Sequence, residues 1–420
     1  MIRRGGTGTP KTIVIVGAGL AGAKAAQALR EEGFDGRVVL LGAERERPYE
    51  RPPLSKEYLR GEVGHEKVFV HDEDFYDEHA IELRTGETVL AIERAAGAVV
   101  LGERERLSYD RLLLATGARP RRLTVTGAEL DGVYELRTLA SSDALRERLQ
   151  RGGRVAIVGG GWIGCEVAAS ARGMGLDVTL IEPLELPLQR ALGPVLGAFY
   201  RDLHAANGVR MLLGSGVAAF EGRFGGAINA VRTADGTRVA CDFAVVGVGV
   251  MARDEIADRS GIDTADGILV DEYLQTSAPG VFAAGDVARA YHPLLGRSLR
   301  VEHWANALNQ GPAAARNMLG ADEPYERLPY FFSDQYDIGM EYTGHAAEWD
   351  DVIIRGDLAG REFIAFWLRE GRVMAGMNVN VWDVTADIQT LIRGGAVVDR
   401  ERLADPAVAL ADLLPAGREA

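Results

Sequence analysis

The sequence predicts an α/β protein with two Rossmann-like dinucleotide-binding domains followed by a C-terminal α+β domain. Two glycine-rich turns, each between an apolar strand and a helix of small residues, predict the two nucleotide-binding domains. Alternating aromatic and β-branched residues at 352–354, 363–368 and 373–379 predict an antiparallel sheet near the end of the chain. The length of 420 residues suits about three domains.

The first glycine-rich motif follows four apolar residues and has the spacing GxGxxG. Gly17 allows the tight turn, Gly19 lets a pyrophosphate approach the backbone, and Gly22 lets the helix pack closely on the strand. The phosphate then lies at the helix N-terminus, where free N–H groups favour an anion. The next strand ends near Glu44, where a carboxylate can hold ribose hydroxyls.

The same pattern occurs a second time, with Gly159, Gly161 and Gly164 in the turn and Glu182 at the end of the following strand. Each copy is completed by a later apolar strand, at 112–115 and at 243–249. A repeat of this length indicates two nucleotide sites in one chain. Two such sites suit the transfer of a hydride from one bound cofactor to another.

Composition and charge narrow the class of protein. The chain is 47% hydrophobic and 26% charged, as in ordinary globular proteins. Its net charge of −14 argues against general nucleic-acid binding, which requires a basic surface. Two distant cysteines form no disulfide framework or zinc motif, so we expect no metal and a reducing, cytoplasmic setting. No apolar stretch reaches about 18 residues, so no membrane span is expected. Residues 1–10 are interpreted as a flexible N-terminal segment.

The remaining elements connect these motifs. A loop with three prolines occupies 45–60, and Ser55 is a possible cap for a short helix after it. Hairpins are expected within 61–107, with turns at Thr85-Gly86 and Ala96-Gly97, and within 209–240, with turns at Gly225-Gly226 and Asp235-Gly236. Helices are expected at 142–150 (capped by Ser141 or Ser142), 302–319, 384–393 and 407–414. Asp286 follows a short apolar strand, where an acid can accept hydroxyl protons from a ribitol chain.

Six strings along the chain resemble the NADH-dependent ferredoxin reductases that serve bacterial Rieske oxygenases and cytochromes P450. The two most specific are Arg51-Pro52-Pro53-Leu54-Ser55-Lys56 and Pro329-Tyr330-Phe331-Phe332-Ser333-Asp334-Gln335-Tyr336. The others are Gly17–Gly22, Ala115-Thr116-Gly117, Gly159–Glu166 and Gly285-Asp286. These flavoproteins share the glutathione-reductase-type fold. The resemblance implies a discontinuous FAD domain at 1–118 and 252–328, an NAD domain at 119–251, and a C-terminal domain at 329–420.

The resemblance and the motifs together define the candidate site residues. The resemblance implies FAD in the first nucleotide unit and NADH in the second. We expect FAD to be bound non-covalently, because no His or Cys stands in an obvious attachment motif. Lys56 and Glu166 are the candidate catalytic residues. The candidate cofactor-binding residues are Gly17, Gly19, Ala21, Gly22, Glu44, Arg51, Lys56, Val89, Ala115, Thr116, Gly117, Arg137, Asp286, Trp304, Gly159, Gly161, Ile163, Gly164, Glu166, Glu182, Arg190 and Gly249.

Two of these assignments carry a chemical expectation. The resemblance places Lys56 and Glu166 at the isoalloxazine ring as an ion pair, although a plain inter-domain salt bridge is the alternative. Glu182 favours NADH over NADPH, because a 2′-phosphate would meet like charge there. Arg190 follows Glu182 closely in the sequence, and its side chain either partly offsets the charge of the glutamate or contacts the cofactor itself.

The expected partner is a small acidic iron–sulfur ferredoxin, bound by a monomer or weak dimer of this chain. Such redox encounters are small and rely on complementary charge. Candidate basic docking residues are Arg289, Arg297, Arg300 and Arg316. Trp304 and Phe332 are candidates to line the electron path, with core packing as the alternative. Many relatives carry Trp where this chain has Phe332.

Two other functions stay open at this point. A flavin-dependent NADH oxidase or peroxidase would require a redox-active cysteine or a catalytic histidine, and Cys165 is better explained as a small buried residue. A redox-controlled flavoprotein of the apoptosis-inducing-factor type is the other alternative. A disulfide reductase is excluded, because the loop after the first helix has no cysteine pair.

Overall fold

The computed structural model describes residues 10–102, 105–222 and 226–413. Parts of three expected features therefore lie outside the described residues: residues 1–9 of the N-terminal segment, Gly225 of a turn and Leu414 of a helix. The chain divides into two units. The first unit comprises Met1–Glu50, His65–Arg119 and Met251–Pro329, and the second comprises Arg51–Gly64, Pro120–Val250 and Tyr330–Ala420.

A five-stranded parallel sheet forms the centre of the first unit. Its strands, in spatial order, are Val281–Ala283, Arg111–Leu114, Thr12–Val16, Arg37–Gly42 and Ile81–Thr85. The central strand is apolar at each position after Thr12, because a parallel sheet is covered on both faces. The helices Leu20–Glu31 and Trp304–Met318 pack so closely that a Cβ on Gly311 would lie 2.2 Å from the carbonyl oxygen of Ala21.

Two small three-stranded sheets and several short helices complete the first unit. One sheet is antiparallel and contains Val89–Glu93, Ala98–Leu101 and Glu105–Ser108; the other contains Ile268–Val270, Ala288–His292 and Arg297–Arg300. The short α-helices are Phe75–Glu78 and Glu255–Arg259, and the 3₁₀ helices are His65–Val68, Arg94–Ala96 and Gly285–Val287. The expected turn at Ala96-Gly97 is confirmed. The hairpin expected at Thr85-Gly86 is wrong, because Ile81–Thr85 instead extends the central sheet in parallel.

A second five-stranded parallel sheet lies in the second unit. Its strands, in spatial order, are Arg210–Leu213, Asp177–Glu182, Arg154–Val158, Phe243–Val246 and Val133–Glu135. Its helices are Leu139–Gln150, Trp162–Gly173 and Gln189–Ala206, the last interrupted at Gly193, where φ is 79°. An antiparallel sheet of Val217–Gly222, Ile228–Thr233 and Arg238–Ala240 includes the expected turn at Asp235-Gly236.

Two helices of the second unit differ from the predictions at their N-termini. The helix expected at 142–150 begins at Leu139, because Thr138 caps it by accepting from the backbone N–H of Ser141. In the proline loop, Pro52–Ser55 forms a 3₁₀ turn and Glu57–Arg60 a short helix that is preceded by Lys56. Ser55 makes no cap hydrogen bond to this helix. Its hydroxyl is used elsewhere, as described below.

An antiparallel sheet forms the C-terminal part of the second unit, as the alternating pattern predicts. Its strands, in spatial order, are Tyr330–Gln335, Ile338–Gly344, Arg372–Val379, Glu362–Arg369 and Asp351–Asp357. The helix expected near 384–393 is confirmed as Thr385–Gly394. The helix expected at 407–414 is wrong: Arg400–Ala404 is helical because Asp399 caps it, and only Leu410–Leu413 follows as a 3₁₀ turn.

The parallel sheet and the antiparallel sheet of the second unit share one hydrophobic core. Trp367 and Phe363 of the antiparallel sheet lie in the same buried cluster as Leu192 and Tyr200. The Trp367 indole N–H donates to the carbonyl oxygen of Leu192 at 3.2 Å. The α/β fold class is thus confirmed. The finer division at residues 119–251 and 329–420 stays a prediction.

The chain passes between the units five times, at residues 50–51, 64–65, 119–120, 250–251 and 329–330. The third and fourth of these points lie in two short strands, Ala118–Pro120 and Val250–Ala252. Among the helices in the described part of the chain, none has the length and apolar character needed to span a bilayer.

Close backbone contacts explain why each nucleotide motif requires glycine. A Cβ on Gly17 would lie 2.1 Å from the carbonyl oxygen of Ala115, and one on Gly22 would lie 2.0 Å from that of Gly17. In the second copy, a Cβ on Gly164 would lie 1.9 Å from the carbonyl oxygen of Gly159. Helix and strand approach too closely at these points for any side chain.

We expect Gly164→Ala to lower the free energy of unfolding by about 1–3 kcal/mol, because the added methyl group displaces backbone. Gly161→Ala is the matched control, since its Cβ would meet no atom within 4 Å and its φ is −81°. Urea unfolding of the two variants checks this expectation. Equal losses in both variants would contradict the close-packing explanation.

Candidate functional site

The helix Leu20–Glu31 of the first unit has an open N-terminus. Gly19 precedes the helix without a side-chain cap, and the first turn contains no acid. A Cβ on Gly19 would have no atom within 4 Å, so the space before the helix is open. Free N–H groups facing open space at a helix N-terminus suit a pyrophosphate. Gly17 and Gly22 shape this turn, whereas Ala21 is buried in the packing.

Glu44 lies beyond the carboxyl end of the neighbouring strand, Arg37–Gly42. Its carboxylate accepts a hydrogen bond of 2.5 Å from the hydroxyl of Tyr49. This contact holds the carboxylate near the edge where the glycine turn lies, as a ribose-binding acid requires.

Several other predicted residues also follow strands of this parallel sheet. Ala115, Thr116 and Gly117 follow Arg111–Leu114, and the Thr116 hydroxyl donates to the carbonyl oxygen of Arg253 at 2.7 Å. Asp286 follows the strand Val281–Ala283 within a 3₁₀ turn. Because the carboxyl ends of parallel strands share one edge, these residues lie at the edge that binds ligands in such sheets. Val89 begins a strand of the small antiparallel sheet instead.

Trp304 opens the helix Trp304–Met318 and has a partner that the sequence analysis missed. Its indole N–H donates to the carboxylate of Glu50, and burial raises the pKa of this glutamate. The only sequence signal for Glu50 is its place directly before the string that begins at Arg51. The expected helix start at residue 302 is corrected to Trp304, with Glu302 paired instead with Arg300.

The helix Trp162–Gly173 of the second unit has a similarly open N-terminus. Gly161 precedes it without a side-chain cap, the first turn contains no acid, and a Cβ on Gly161 would meet open space. Glu182 ends the neighbouring strand, and its carboxylate accepts hydrogen bonds from the backbone N–H of Gly160 at 2.6 Å and from that of Leu184 at 3.0 Å. Its carboxylate is therefore fixed beside the glycine turn, where a ribose acid is needed.

The other candidates in the second unit are less closely grouped. Ile163 is 42% exposed although apolar, and it is the second residue of the helix Trp162–Gly173. Gly249 has a φ of 97° and open space at its Cβ position. Arg190 lies exposed on the helix Gln189–Ala206. Arg51 donates to the carbonyl oxygen of Arg137, which joins these two residues.

The second unit brings Lys56 and Glu166 together as a buried ion pair. Lys56 Nζ lies 3.8 Å from Glu166 Oε1, and the two side chains are only 5% and 7% exposed. Glu166 begins the second turn of the helix Trp162–Gly173. The ring of Phe332 lies 4.8 Å from Lys56 Nζ, within cation–π range.

Two serine hydroxyls complete the shell of Glu166. Ser55 Oγ donates to Oε2 at 2.5 Å, and Ser333 Oγ donates to Oε1 at 2.7 Å. Burial raises the pKa of Glu166, while Lys56 and the two hydroxyl donors oppose this shift. Both serines belong to the two specific strings of the sequence, but nothing local indicates that they meet at Glu166.

The structure limits the role of one expected docking residue. Arg300 is only 10% exposed and pairs with Asp266 at 3.1 Å and with Glu302. Arg316 is 35% exposed and pairs with Glu323 at 3.0 Å, and Arg297 is exposed. Arg300 therefore stabilises its own unit, whereas Arg297 and Arg316 remain suited to a surface contact.

The buried thiol of Cys165 does not resemble a reactive cysteine. Its Sγ lies 3.7 Å from the carbonyl oxygen of Gly160, and burial raises its pKa well above the usual range. A raised pKa keeps the thiol protonated and unreactive. Across 10–102, 105–222 and 226–413, no group of three or more His, Cys, Asp or Glu residues could hold a metal ion.

Comparison with known proteins identifies the family. Residues 11–311 match the pyridine nucleotide-disulphide oxidoreductase family, and residues 330–414 match the reductase C-terminal domain. The chain is 42% identical over 405 residues to the anthranilate 1,2-dioxygenase system ferredoxin–NAD(+) reductase component of Burkholderia cepacia, covering 96% of this chain and 98% of the relative. It is 36% identical over 410 residues to putidaredoxin reductase of Pseudomonas putida, covering 97% of both chains.

Solved structures agree with this relationship. The chain matches the crystal structure of a covalent putidaredoxin reductase–putidaredoxin complex with a TM-score of 0.93 at 36% identity, covering 97% of this chain and 98% of the other. It matches a ferredoxin reductase from Rhodopseudomonas palustris with the same TM-score and identity, covering 96% and 100%. The resemblance inferred from the motifs is confirmed. The chain belongs to the pyridine nucleotide-disulphide oxidoreductase family, among the ferredoxin reductases that use FAD and NAD(H).

Proposed function

We propose that this enzyme oxidises NADH and passes the electrons through FAD to a small acidic iron–sulfur ferredoxin, which serves a Rieske-type oxygenase or a cytochrome P450. The observation that carries this proposal is the pair of open, glycine-capped helix N-termini, one in each unit. The relatives support the same function, since they are named for a dioxygenase system and for putidaredoxin.

FAD binds in the first unit under this proposal. The N–H groups after Gly19 hold the pyrophosphate, Glu44 holds the ribose, and Asp286 accepts hydroxyl protons from the ribitol chain. FAD, when bound, supplies the ability to accept two electrons together and release them singly. The donor set fits this group, because N–H groups face the expected anion and carboxylates face the expected hydroxyls.

NADH binds in the second unit, with its pyrophosphate at the N-terminus of the helix Trp162–Gly173. Glu182 accepts from the adenosine 2′-OH, and its negative charge disfavours a 2′-phosphate. The two backbone N–H contacts of Glu182 support this role, because they fix the carboxylate beside the turn.

We expect Glu182→Gln to raise kcat/KM for NADPH relative to NADH by roughly tenfold, which corresponds to about 1.4 kcal/mol of like-charge repulsion removed. Steady-state kinetics with both nucleotides measure the ratio. Glu185→Gln is the matched control, because this nearby carboxylate is exposed and should not change the ratio. A wild-type enzyme that prefers NADPH would overturn the assignment.

Lys56 and Glu166 serve hydride transfer under this proposal. A buried cation stabilises negative charge on an acceptor far better than an exposed one, because little water screens it. Glu166 holds the Lys56 side chain and balances its charge in the resting enzyme. Phe332 covers the ammonium from another side.

We expect Lys56→Met to slow flavin reduction by NADH by roughly tenfold or more in stopped-flow experiments, because the stabilising cation is lost. Lys67→Met removes an exposed lysine and serves as the control, with an unchanged rate. If Lys56→Met also reduces flavin at the wild-type rate, the ion pair has only a structural role.

Ferredoxin docking involves arginines at the surface of the first unit, with the exposed Arg297 and the partly exposed Arg316 as the main candidates. Complementary charge steers such transient encounters and is weakened by salt. Phe332 and Trp304 remain candidates for the electron path. We further propose a cytoplasmic monomer or weak dimer; the free, buried thiols of both cysteines suit a reducing compartment.

Charge reversal at Arg297 or Arg316 should raise the KM for ferredoxin several-fold and leave ferricyanide reduction unchanged, since ferricyanide needs no docking surface. Ferredoxin-dependent reduction of cytochrome c measures the first activity. Arg201→Glu, on an exposed helix position of the second unit, is the control. A parallel loss of both activities would place the arginines in the fold or in the NADH half-reaction, as we expect for Arg300→Glu.

A further inference from the structure

A chain of hydrogen bonds runs from Glu166 into the interior of the second unit. Ser333 Oγ donates to Glu166 Oε1 at 2.7 Å, and Gln335 Nε2 donates to Ser333 Oγ at 3.2 Å. Gln335 Oε1 lies 3.0 Å from His204 Nε2, and His204 Nδ1 lies 3.0 Å from the hydroxyl of Tyr336. Ser333, Gln335 and His204 are 1%, 2% and 0% exposed.

With the Gln335 amide in this orientation, all of these hydrogen bonds run in one direction. Because Gln335 presents its oxygen to His204, the His204 Nε2 atom must carry the hydrogen. His204 Nδ1 then accepts from the Tyr336 hydroxyl. At the other end, Ser333 accepts from Gln335 and gives its single hydrogen to Glu166. Every donor in the chain therefore points toward the Glu166 carboxylate, which stabilises its ionised form.

The same atoms can support the opposite direction. A protonated Glu166 would donate to Ser333, Ser333 would donate to the Gln335 oxygen, and the turned amide would donate to His204 Nε2. His204 would then carry its hydrogen on Nδ1 and donate to Tyr336. This reversal requires His204 to be neutral in both states. Burial lowers the pKa of His204 to about 4, which keeps the ring neutral in ordinary conditions.

We propose that His204 is a positioning residue for Glu166: its Nε2–H tautomer orients Gln335 and Ser333 so that Glu166 remains an ionised acceptor opposite Lys56. The inference rests on the proposed function, in which the Lys56–Glu166 pair serves hydride transfer. His204 itself acts only through the intervening side chains. Its helix, Gln189–Ala206, is thereby coupled to the ion pair through side-chain hydrogen bonds.

Other titratable groups near the chain contribute to the ionisation of Glu166. Lys56 favours the carboxylate and Asp334 disfavours it. The thiol of Cys165 has a pKa raised by burial and stays neutral. Near the far end, the hydroxyl of Tyr336 also has a pKa raised by burial, with Arg172 opposing that shift.

The first test uses the wild-type holoenzyme. Nitrogen-15 NMR of labelled histidine distinguishes the two neutral tautomers, and the His204 signal is assigned by its absence in His204→Gln. We expect hydrogen on Nε2 at neutral pH. Hydrogen on Nδ1 at that pH would overturn the proposal without any dependence on a variant that folds poorly.

The second test measures Glu166 directly by infrared spectroscopy as a function of pH. The carbonyl band of the protonated acid is assigned by its loss in Glu166→Gln. We expect His204→Phe to move the titration midpoint upward by about one pKa unit, since one charge-assisted hydrogen bond is weakened. His204→Gln should keep the wild-type midpoint, because its amide nitrogen can still donate to Gln335.

Tyr200→Phe is the matched control. It removes a buried hydroxyl of the same helix that has no hydrogen-bond partner among the described residues, so it should leave the midpoint unchanged. A wild-type midpoint in His204→Phe would overturn the proposal, as would the lack of any band down to the lowest pH at which this variant stays folded. A shift in His204→Gln as large as that in His204→Phe would also contradict it.

The rate of flavin reduction separates this inference from the proposed function. If the function is right, the acid limb of the rate–pH profile moves upward with the infrared midpoint in His204→Phe. If the infrared midpoint moves in His204→Phe while Lys56→Met reduces flavin at the wild-type rate, the positioning role of His204 is supported. The proposed role of the ion pair in hydride transfer is then contradicted.

Discussion

The burial of Glu166 is the constraint on which the second unit depends. A carboxylate with almost no access to water is stable only when a cation and hydrogen-bond donors replace its hydration. Lys56 and Ser55 come from the proline loop, and Ser333 comes from the first strand of the C-terminal sheet. Two distant segments must therefore meet at one helix for the charge to be tolerated.

The two nucleotide motifs pack the helix against the turn in the same way, but the carboxylates that follow them have different hydrogen-bond partners. In both, a helix glycine approaches a carbonyl oxygen of the turn to a distance that excludes a methyl group. Glu44 is then held by the hydroxyl of Tyr49, whereas Glu182 is held by two backbone N–H groups. The second arrangement ties the carboxylate directly to the backbone of the glycine turn at Gly160 and to the backbone of Leu184 just after its own strand.

Sequence periodicity was sufficient for the features that depend on neighbours along the chain. Apolar runs and glycine spacing indicated both parallel sheets, and alternation indicated the C-terminal sheet. Local sequence patterns gave wrong predictions where a contact with a distant residue determines the role of a side chain. Ser55 looks like a helix cap but donates to a carboxylate 111 positions away. Arg300 looks like a surface cation but is enclosed by two acids. The sites of Glu50, Gln335 and His204 likewise arise from contacts that no local pattern encodes.

The shared core of the second unit has a consequence for synthesis on the ribosome. Leu192 and Tyr200 are translated long before Trp367 and Phe363, yet all four are buried in one cluster. Until the C-terminal sheet emerges from the exit tunnel, the helix Gln189–Ala206 presents apolar side chains without their final cover. The nascent chain must remain protected through this interval, because exposed apolar surface on an incomplete domain promotes aggregation. The time taken to translate residues 330–379 therefore sets how long this apolar helix face stays without its final cover.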